Sequence, residues 1–534
     1  MSSTPVDQKP TSDYKPSLLA RVIAMMSGRN GRVAKWILLS LVNALVIWSI
    51  GQLFAQGKPL WALITIGVLA LLDAIYLLPG FVPAKFIAPG TVFLVAYLLI
   101  PIFFTVTTAF QIYATGHILT KDDAIKSIQL QSLQPTGVTY VMAPARDANG
   151  DLVLLLVDDQ TGKQAVGTPK GLTELPAGTL KVDDVGTLTS TSSDYTVITG
   201  GDLFALDAEL AAFTVPVEGG SAIRPEGVST AVVLKPTLVY VPKTDVFRNI
   251  ETGVVYSDNS KGSYVAPDGA ELEPGWRTFV GLDNLASVFT DPLVRGPFFR
   301  TFIWTIVFAT SAVFFSFAIG LFLAITLDKP GMRFLKTYRS LLVIPYAIPG
   351  FLMLLVWGGL LNDDFGVINK LLPGGLDRPW LFDPFWAKVS VIMVTTWLTV
   401  PYFMLVSLGA LQSIPSELTE AARVDGASKL QVFRRVTLPL LMIVVAPLLI
   451  ASFAFNFNNF NNIYLLTGGG PAANDQSVAG ATDILISYTY KIAFASGKGQ
   501  DYGLASAVSI YVFMIVATIS GIAFWRTKAL EGVQ

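Results

Sequence analysis

Residues 451–466 read ASFAFNFNNFNNIYLL. Ser452, Asn456 and Asn459 are spaced four and three apart, so an unbroken helix would carry them on one face, with Phe455 beside it. Asn458, Asn461 and Asn462 add amides, and Phe453, Phe457 and Phe460 add rings. An unpaired amide is costly in hydrocarbon, so side chains of this kind face a bundle interior or a water-filled path. Amides exchange hydrogen bonds with hydroxyls, and an aromatic face covers the apolar face of a sugar ring. The set therefore suits a neutral polyhydroxy solute. The same amides could bond neighbouring helices instead, and the sequence leaves both readings open. A second set, Thr395, Thr399 and Tyr402 in TTWLTVPY, repeats the spacing, with Leu398 between. Its hydroxyls could line the same cavity, although a threonine can equally bond the carbonyl one turn back in its own helix.

Other chemistries find little support. The chain has no cysteine, and His117 is its single histidine. Thiolate or histidine-cluster metal sites and thiol catalysis are thereby excluded. No Walker-type phosphate loop, catalytic triad or glycosidase acid pair is present. No carboxylate or basic residue sits clearly inside an apolar run, which argues against ion-coupled transport by a buried charge.

The elements that must position these residues are membrane helices. Of 534 residues, 52% are hydrophobic and 14% charged, against about a quarter charged in soluble domains. Eight runs approach or exceed the roughly 20 residues that cross hydrocarbon: about 35–54, 60–80, 87–110, 299–327, 340–360, 388–411, 438–460 and 503–524. Residues 111–298 differ. DLVLLLVDD at 151–159, STAVVLKPTLVYVPK at 229–243 and TFVGL at 278–282 read as strands between Gly, Pro, Asp and Asn turns. The expected fold is an all-α polytopic membrane protein of eight helices, with a mostly β domain inserted between the third and fourth. The expected division is a leader at 1–34, three helices at 35–110, the insertion at 111–298, a five-helix core at 299–524 and a tail at 525–534.

Basic residues cluster at Lys85, at Lys329, Arg333, Lys336 and Arg339, at Arg423, Lys429, Arg434 and Arg435, and at Arg526 and Lys528. With eight spans all of these, and the basic leader, fall on one side, which the positive-inside rule makes cytoplasmic. Both termini would then be cytoplasmic. The insertion, the link bearing Asp363, Asp364, Asp377 and Asp383, and the TGGGP link at 467–471 would be outside. One cytoplasmic connection is too elaborate for a turn: EAARVDGASKLQVFRRVTLPL, Glu420 to Leu440. Pro415 opens a polar helix with Glu417 and Glu420 in its early turns. Gly426 allows a sharp turn, a second short helix occupies about 428–436, and Pro439 fixes the start of the next span. Such a segment could dock on a partner or lie on lipid as an interfacial helix.

This connection resembles the conserved loop of importer permeases in the ATP-binding cassette superfamily, through Glu420, Ala421, Ala422, Gly426 and the Leu438–Pro439 close. SFAFNFNNF (452–460), IYLLTGGGP (463–471) and SYTYKIAF with GQDYGLA (487–505) narrow the resemblance to the maltose/maltodextrin type, over nearly the whole chain. The resemblance implies a bacterial inner-membrane permease subunit without a catalytic site of its own. It would pair with a second permease, two copies of an ATPase holding ATP and Mg, and a periplasmic sugar-binding protein. The loop at 413–440 would couple the chain to the ATPase through Glu420, Ala421, Ala422, Gly426 and Pro439. Ser452, Phe455, Asn456, Asn459, Leu398 and Tyr402 match sugar-contacting positions. Thr395 and Thr399 depart from them, standing where the family has asparagine and glycine. Maltose or maltodextrin is the implied cargo, with trehalose or another disaccharide as an alternative. An ATP-independent sugar transporter or channel is the alternative of a different class.

Overall fold

The computed structural model describes residues 28–531 apart from 79, 81, 184–186, 218–220, 330, 372–377, 473–477 and 496–499. Most of the basic leader, Asp377 and the end of the tail lie outside the described residues, as does the side chain of Lys528.

Seven described helices are long and apolar enough to cross a membrane: Gly31–Ala55, Pro59–Leu77, Val82–Ala109, Pro292–Leu327, Pro384–Ser413, Lys429–Phe457 and Tyr502–Arg526. The fifth span is broken. Leu335–Ala347 and Gly350–Leu360 meet at 92°. Proline disfavours helical geometry in the residue before it, and Ile348, before Pro349, is extended at φ −89°, ψ 138°. The span expected as one run at about 340–360 is thus two half-helices.

The first compact unit ends at Phe104. In it the first two spans are tied by a polar contact: Asn43 Nδ2 donates to Asp73 Oδ1 at 2.9 Å. Asp73 lies inside the second span, which corrects the expectation that no carboxylate would. An amide donor on the neighbouring helix makes it tolerable there. Lys35 Nζ and Tyr76 O close the same pair of helices at 2.6 Å. The third span carries a π-turn at Val95–Leu99, just before Pro101, whose missing N–H such a turn accommodates.

The second unit starts at Thr105 and contains the insertion and the core bundle. The insertion leaves and returns through one neck, where Gln111–Ile112 pairs antiparallel with Thr278–Phe279. Asn284 Nδ2 fastens this neck by donating to the carbonyls of Ala109 and Gln111 at 3.1 and 2.8 Å. Within the insertion, Leu133–Arg146 pairs with Leu152–Asp158 on one edge and Thr230–Pro236 on the other. It is the centre of an eight-stranded sheet. The expected strand at 229–243 divides at Thr237 into two, and the second, Leu238–Val241, begins a five-stranded antiparallel meander ending at Glu271–Leu272. Helix Lys121–Gln131, capped by Thr120, buries Ala124 and Ile128 against Phe247, Tyr264 and Trp276 of this second layer.

The core bundle is built around the long fourth span. Asp291 caps Pro292–Leu327, accepting from Leu293 N, and Asp383 caps Pro384–Ser413, accepting from Phe385 N and Trp386 N. These caps satisfy donors that have no intrahelical partner. The two helices approach closely where Gly320 faces the Phe403–Met404 backbone; a Cβ there would lie 2.8 Å from Met404 N. Small residues permit such contact between membrane helices. Arg300 lies in the third turn of the fourth span's helix and Lys388 in the second turn of the sixth span's. Arg300 donates to Ala479 O at 3.0 Å, and Lys388 Nζ sits 5.0 Å above the Trp304 ring.

The charged connection forms the helix Ser416–Val424, with Glu417 in its first turn. Gly426 follows at φ +82°, a conformation that favours glycine. The second short helix is not separate. Lys429–Val432 runs through a π-turn at Phe433–Thr437 into Leu438–Phe457. Pro439 therefore lies inside a continuous helix, directly after the π-turn, whose widened turn accommodates its missing N–H. Ser428 and Gln431 form a capping box at the start of the whole element.

Candidate functional site

A cavity of about 810 Å³ is walled by the broken fifth span, the sixth span and the end of the seventh. Leu398, Thr399 and Tyr402 come from the sixth span, and Ser452, Phe455, Asn456 and Asn459 from the seventh. Seven of the eight expected solute-site residues thus share one wall system. Thr395 does not line it. It is 1% exposed, and its hydroxyl accepts from Asn462 Nδ2 at 3.0 Å. A second cavity of about 820 Å³, bounded by Phe315, Ile319, Leu341, Pro345, Trp397 and Pro401 among others, has a similar volume. Its lining is almost entirely apolar, so chemistry rather than size distinguishes the two.

The polar wall is not one helical face. The seventh span is helical only to Phe457; Asn458 and Asn459 leave the helix, at φ −110° and −82°. Asn459 then caps Phe460–Thr467, its Oδ1 accepting from Asn462 N at 3.3 Å. The break turns Asn459, Asn461 and Asn462 toward the space already lined by Ser452 and Asn456. Periodicity nominated the first three residues but assumed an unbroken helix. Two asparagines followed three residues later by another are both a cap signal and a helix-stop signal, and that cue locates the break.

Hydrogen bonding sorts the wall into committed and available groups. Thr399 Oγ1 donates to Thr395 O at 2.8 Å, so the local alternative weighed for the threonines is realised at Thr399, which still faces the cavity. Asn456 is 2% exposed, and its Nδ2 donates to Ser452 O at 2.9 Å. Its Oδ1 has no partner. A buried acceptor without a donor is costly, and a solute hydroxyl in the adjoining cavity would relieve the cost. Tyr402 stacks beside Tyr346 at 6.4 Å between ring centroids, and Phe455 is 69% exposed. With Phe351, these rings give the cavity aromatic surface opposite the amides. Tyr346 and Phe351 were missed in the sequence. Their signal was Pro349, which breaks the fifth span after Ile348; broken helices at membrane depth are tolerated where they line a cavity. Among the described residues no cluster of histidine and acidic side chains could hold a metal ion.

The coupling candidates are elsewhere on the chain. Glu420, Ala421 and Ala422 lie on the helix Ser416–Val424, Gly426 is the turn that ends it, and Pro439 stands at the foot of the seventh span. Leu418, Val424 and Leu430 are exposed on this segment, Val424 at 88%.

Residues 316–526 match the family model of the binding-protein-dependent transport system inner membrane component. Residues 92–170 match that of the N-terminal part of the transmembrane subunit in binding-protein-dependent ABC transporters. Fold and matches together define a class: a membrane permease subunit of an ABC transporter, with no catalytic role of its own. The maltose/maltodextrin transport system permease protein MalF of Vibrio vulnificus (strain YJ016) is 33% identical over 95% of this chain and 97% of its own length. The MalF protein of Salmonella typhi is 34% identical over 92% of this chain and 96% of its own. The chain belongs to the MalF family of sugar-importer permeases. Among solved structures, a chain of a bacterial ABC transporter involved in import of the acidic polysaccharide alginate is 22% identical, covering 47% of this chain and 84% of its own, with a TM-score of 0.39.

Proposed function

We propose that this permease carries maltose or maltodextrins from periplasm to cytoplasm through the cavity between the fifth, sixth and seventh spans. Ser452, Asn456 and Asn459 would hydrogen-bond the sugar hydroxyls. Phe455 and Tyr402 would cover the apolar ring faces, with Leu398 and Thr399 completing the wall. The observation that carries the reading is a cavity whose polar groups are amides and hydroxyls, one of whose lining residues, Asn456, keeps a buried Oδ1 without a partner. The MalF relatives, whose names give maltose and maltodextrin, supply the sugar class.

Both termini and the Glu420–Leu440 connection face the cytoplasm in this reading, where basic residues collect, and the insertion faces the periplasm. The chain works with a second permease, two copies of an ATPase and a periplasmic sugar-binding protein. ATP and Mg belong to the ATPase. Glu420, Ala421, Ala422 and Gly426 form the docking element, and Pro439 anchors it to the seventh span. The continuous helix from Lys429 to Phe457 would pass movement of this element to the break beside Asn459.

The test is ATPase activity of the reconstituted complex with its binding protein, screened over maltose, maltotriose, longer maltodextrins and trehalose. Stimulation by the maltose series supports the reading. Stimulation by trehalose alone moves the substrate to another disaccharide, consistent with Thr399 narrowing the wall. Sugar uptake without any ATPase would replace the importer reading by that of an independent transporter.

A further inference from the structure

We propose that Asn462 is a positioning residue that sets the sugar preference of the cavity, and that Thr395 acts through it rather than on the sugar. The inference rests on the sugar-site reading above. Its geometry begins at the break in the seventh span. Between Phe457 and Phe460 the α-helical ladder gives way to tighter backbone bonds, with Asn458 N–H donating to Phe455 O and Asn459 N–H to Asn456 O, both at 3.2 Å, and the direction of the chain there decides where the Asn459 amide lies. Two further bonds, both made by Asn462, tie that direction to the rest of the wall. The backbone N–H of Asn462 donates to Asn459 Oδ1 at 3.3 Å, and its side-chain Nδ2 donates to Thr395 Oγ1 at 3.0 Å. The second bond reaches across to the sixth span, 67 positions away in sequence. Thr395 also receives the Thr399 hydroxyl on its carbonyl at 2.8 Å.

Asn462, Thr395 and Thr399 therefore form a continuous brace between two walls of the cavity. Asn462 and Thr399 line the space, and Thr395 stands behind it. An asparagine has two N–H donors and a carbonyl acceptor. With one N–H committed to Thr395, the other polar positions of Asn462 remain for the cavity side. Without the brace, the segment bearing Asn459 would keep its local backbone bonds and its cap but lose its tie to the sixth span, and its distance from Leu398 and Thr399 would be less closely set. Discrimination between sugars of similar size rests on a few polar contacts. Losing the brace should therefore change which sugar is preferred rather than abolish binding.

The experiment is equilibrium binding of radiolabelled maltose and, separately, trehalose to the purified full complex, with size-exclusion profiles monitoring assembly. The variants are Asn462→Ala, Thr395→Val, their double, Thr395→Ser and Asn456→Ala. Expected are shifts of roughly three- to tenfold in the maltose-to-trehalose affinity ratio for Asn462→Ala and Thr395→Val, the worth of one hydrogen bond. The double variant should shift no further than either single, because both remove one bond, and Thr395→Ser should restore the original ratio. Additive effects overturn the proposal. So does loss of binding on Thr395→Val with Asn462→Ala unchanged, which would make Thr395 a direct contact. An unaltered ratio in both singles also overturns it, provided Asn456→Ala weakens binding of either sugar. If Asn456→Ala leaves binding of both sugars intact, the sugar-site reading itself fails.

Discussion

At the scale of single residues, the site is a contrast between groups already satisfied and groups left waiting. Asn456 shows both in one side chain: its amide nitrogen is bound to Ser452 O and its oxygen has no partner. Asn456→Ala should weaken maltose binding by about 1 kcal/mol, the net worth of one hydrogen bond, or about fivefold. Equilibrium binding to the assembled complex checks this. An unchanged affinity would mean that the oxygen is unsatisfied for another reason. Thr399 offers the reverse test. Its hydroxyl is spent on Thr395 O, so its contact with the cavity is chiefly steric. Thr399→Gly should widen the wall and favour maltotriose over maltose in uptake competition, at a helix cost of about 1 kcal/mol. Uptake that falls equally for both sugars would assign the residue to helix stability alone.

At the scale of elements, two glycines decide how helices meet. Gly320 lets the fourth and sixth spans touch at Phe403 and Met404. Gly320→Leu should force them apart at an overpacking cost of about 1–3 kcal/mol, read as a lower melting temperature of the purified complex. Gly426 ends the helix Ser416–Val424 at φ +82°, where a residue with a Cβ costs roughly 1–2 kcal/mol. Gly426→Val should reduce sugar-stimulated ATP hydrolysis while leaving maltose binding intact. Loss of both together would place the defect in folding and not in coupling. The π-turn at Phe433–Thr437 makes this distinction meaningful, because it makes the short helix that follows Gly426 continuous with the seventh span.

At the scale of the whole molecule, the insertion has an ionic centre of its own. Lys121 Nζ lies 2.5 Å from Asp245 and 2.7 Å from Asp258, and 5.0 Å from the centre of the Trp276 ring. Burial opposes the charge on Asp245, but hydrogen bonds from Lys121, Tyr264 and Tyr240 outweigh it and hold its carboxyl below the ordinary value. That contribution to stability is complete above the unfolded value near 3.9 and is lost as pH falls through the lower folded value. Burial likewise opposes the charge on Lys121, and its bonds to Asp245 and Asp258 outweigh it, so its value is raised. Its contribution is present below the unfolded value near 10.4 and is lost as pH rises through the folded one. Protection of amides over 238–272, measured against the intrinsic exchange rate at each pH, should thus fall at both extremes, and Asp245→Asn should be less protected at neutral pH with a flatter acid response. Orientation is testable because the chain has no cysteine. A cysteine at Val424, 88% exposed, should react with an impermeant thiol reagent only in inside-out vesicles, and one at Leu130 in the insertion only from the opposite side.

Much of the candidate site was legible because hydrophobic runs leave the few polar residues within them conspicuous. Ser452, Asn456 and Asn459 stood out for that reason, and the long apolar runs determined the helices with little help from tertiary contacts. The Glu420–Pro439 segment stood out by charge, and its turn by a glycine. What the sequence left open depended on where the chain stops being regular. The break at Asn458 turned three asparagines toward one space, the 92° bend brought Tyr346 and Phe351 into the wall, and the partnership of Asn43 with Asp73 made a carboxylate acceptable inside a span. Each depends on a partner far along the chain, which local periodicity does not encode. Thr395 is the sharpest case: its sequence placed it on the cavity face, and only the bond from Asn462 moved it behind the wall.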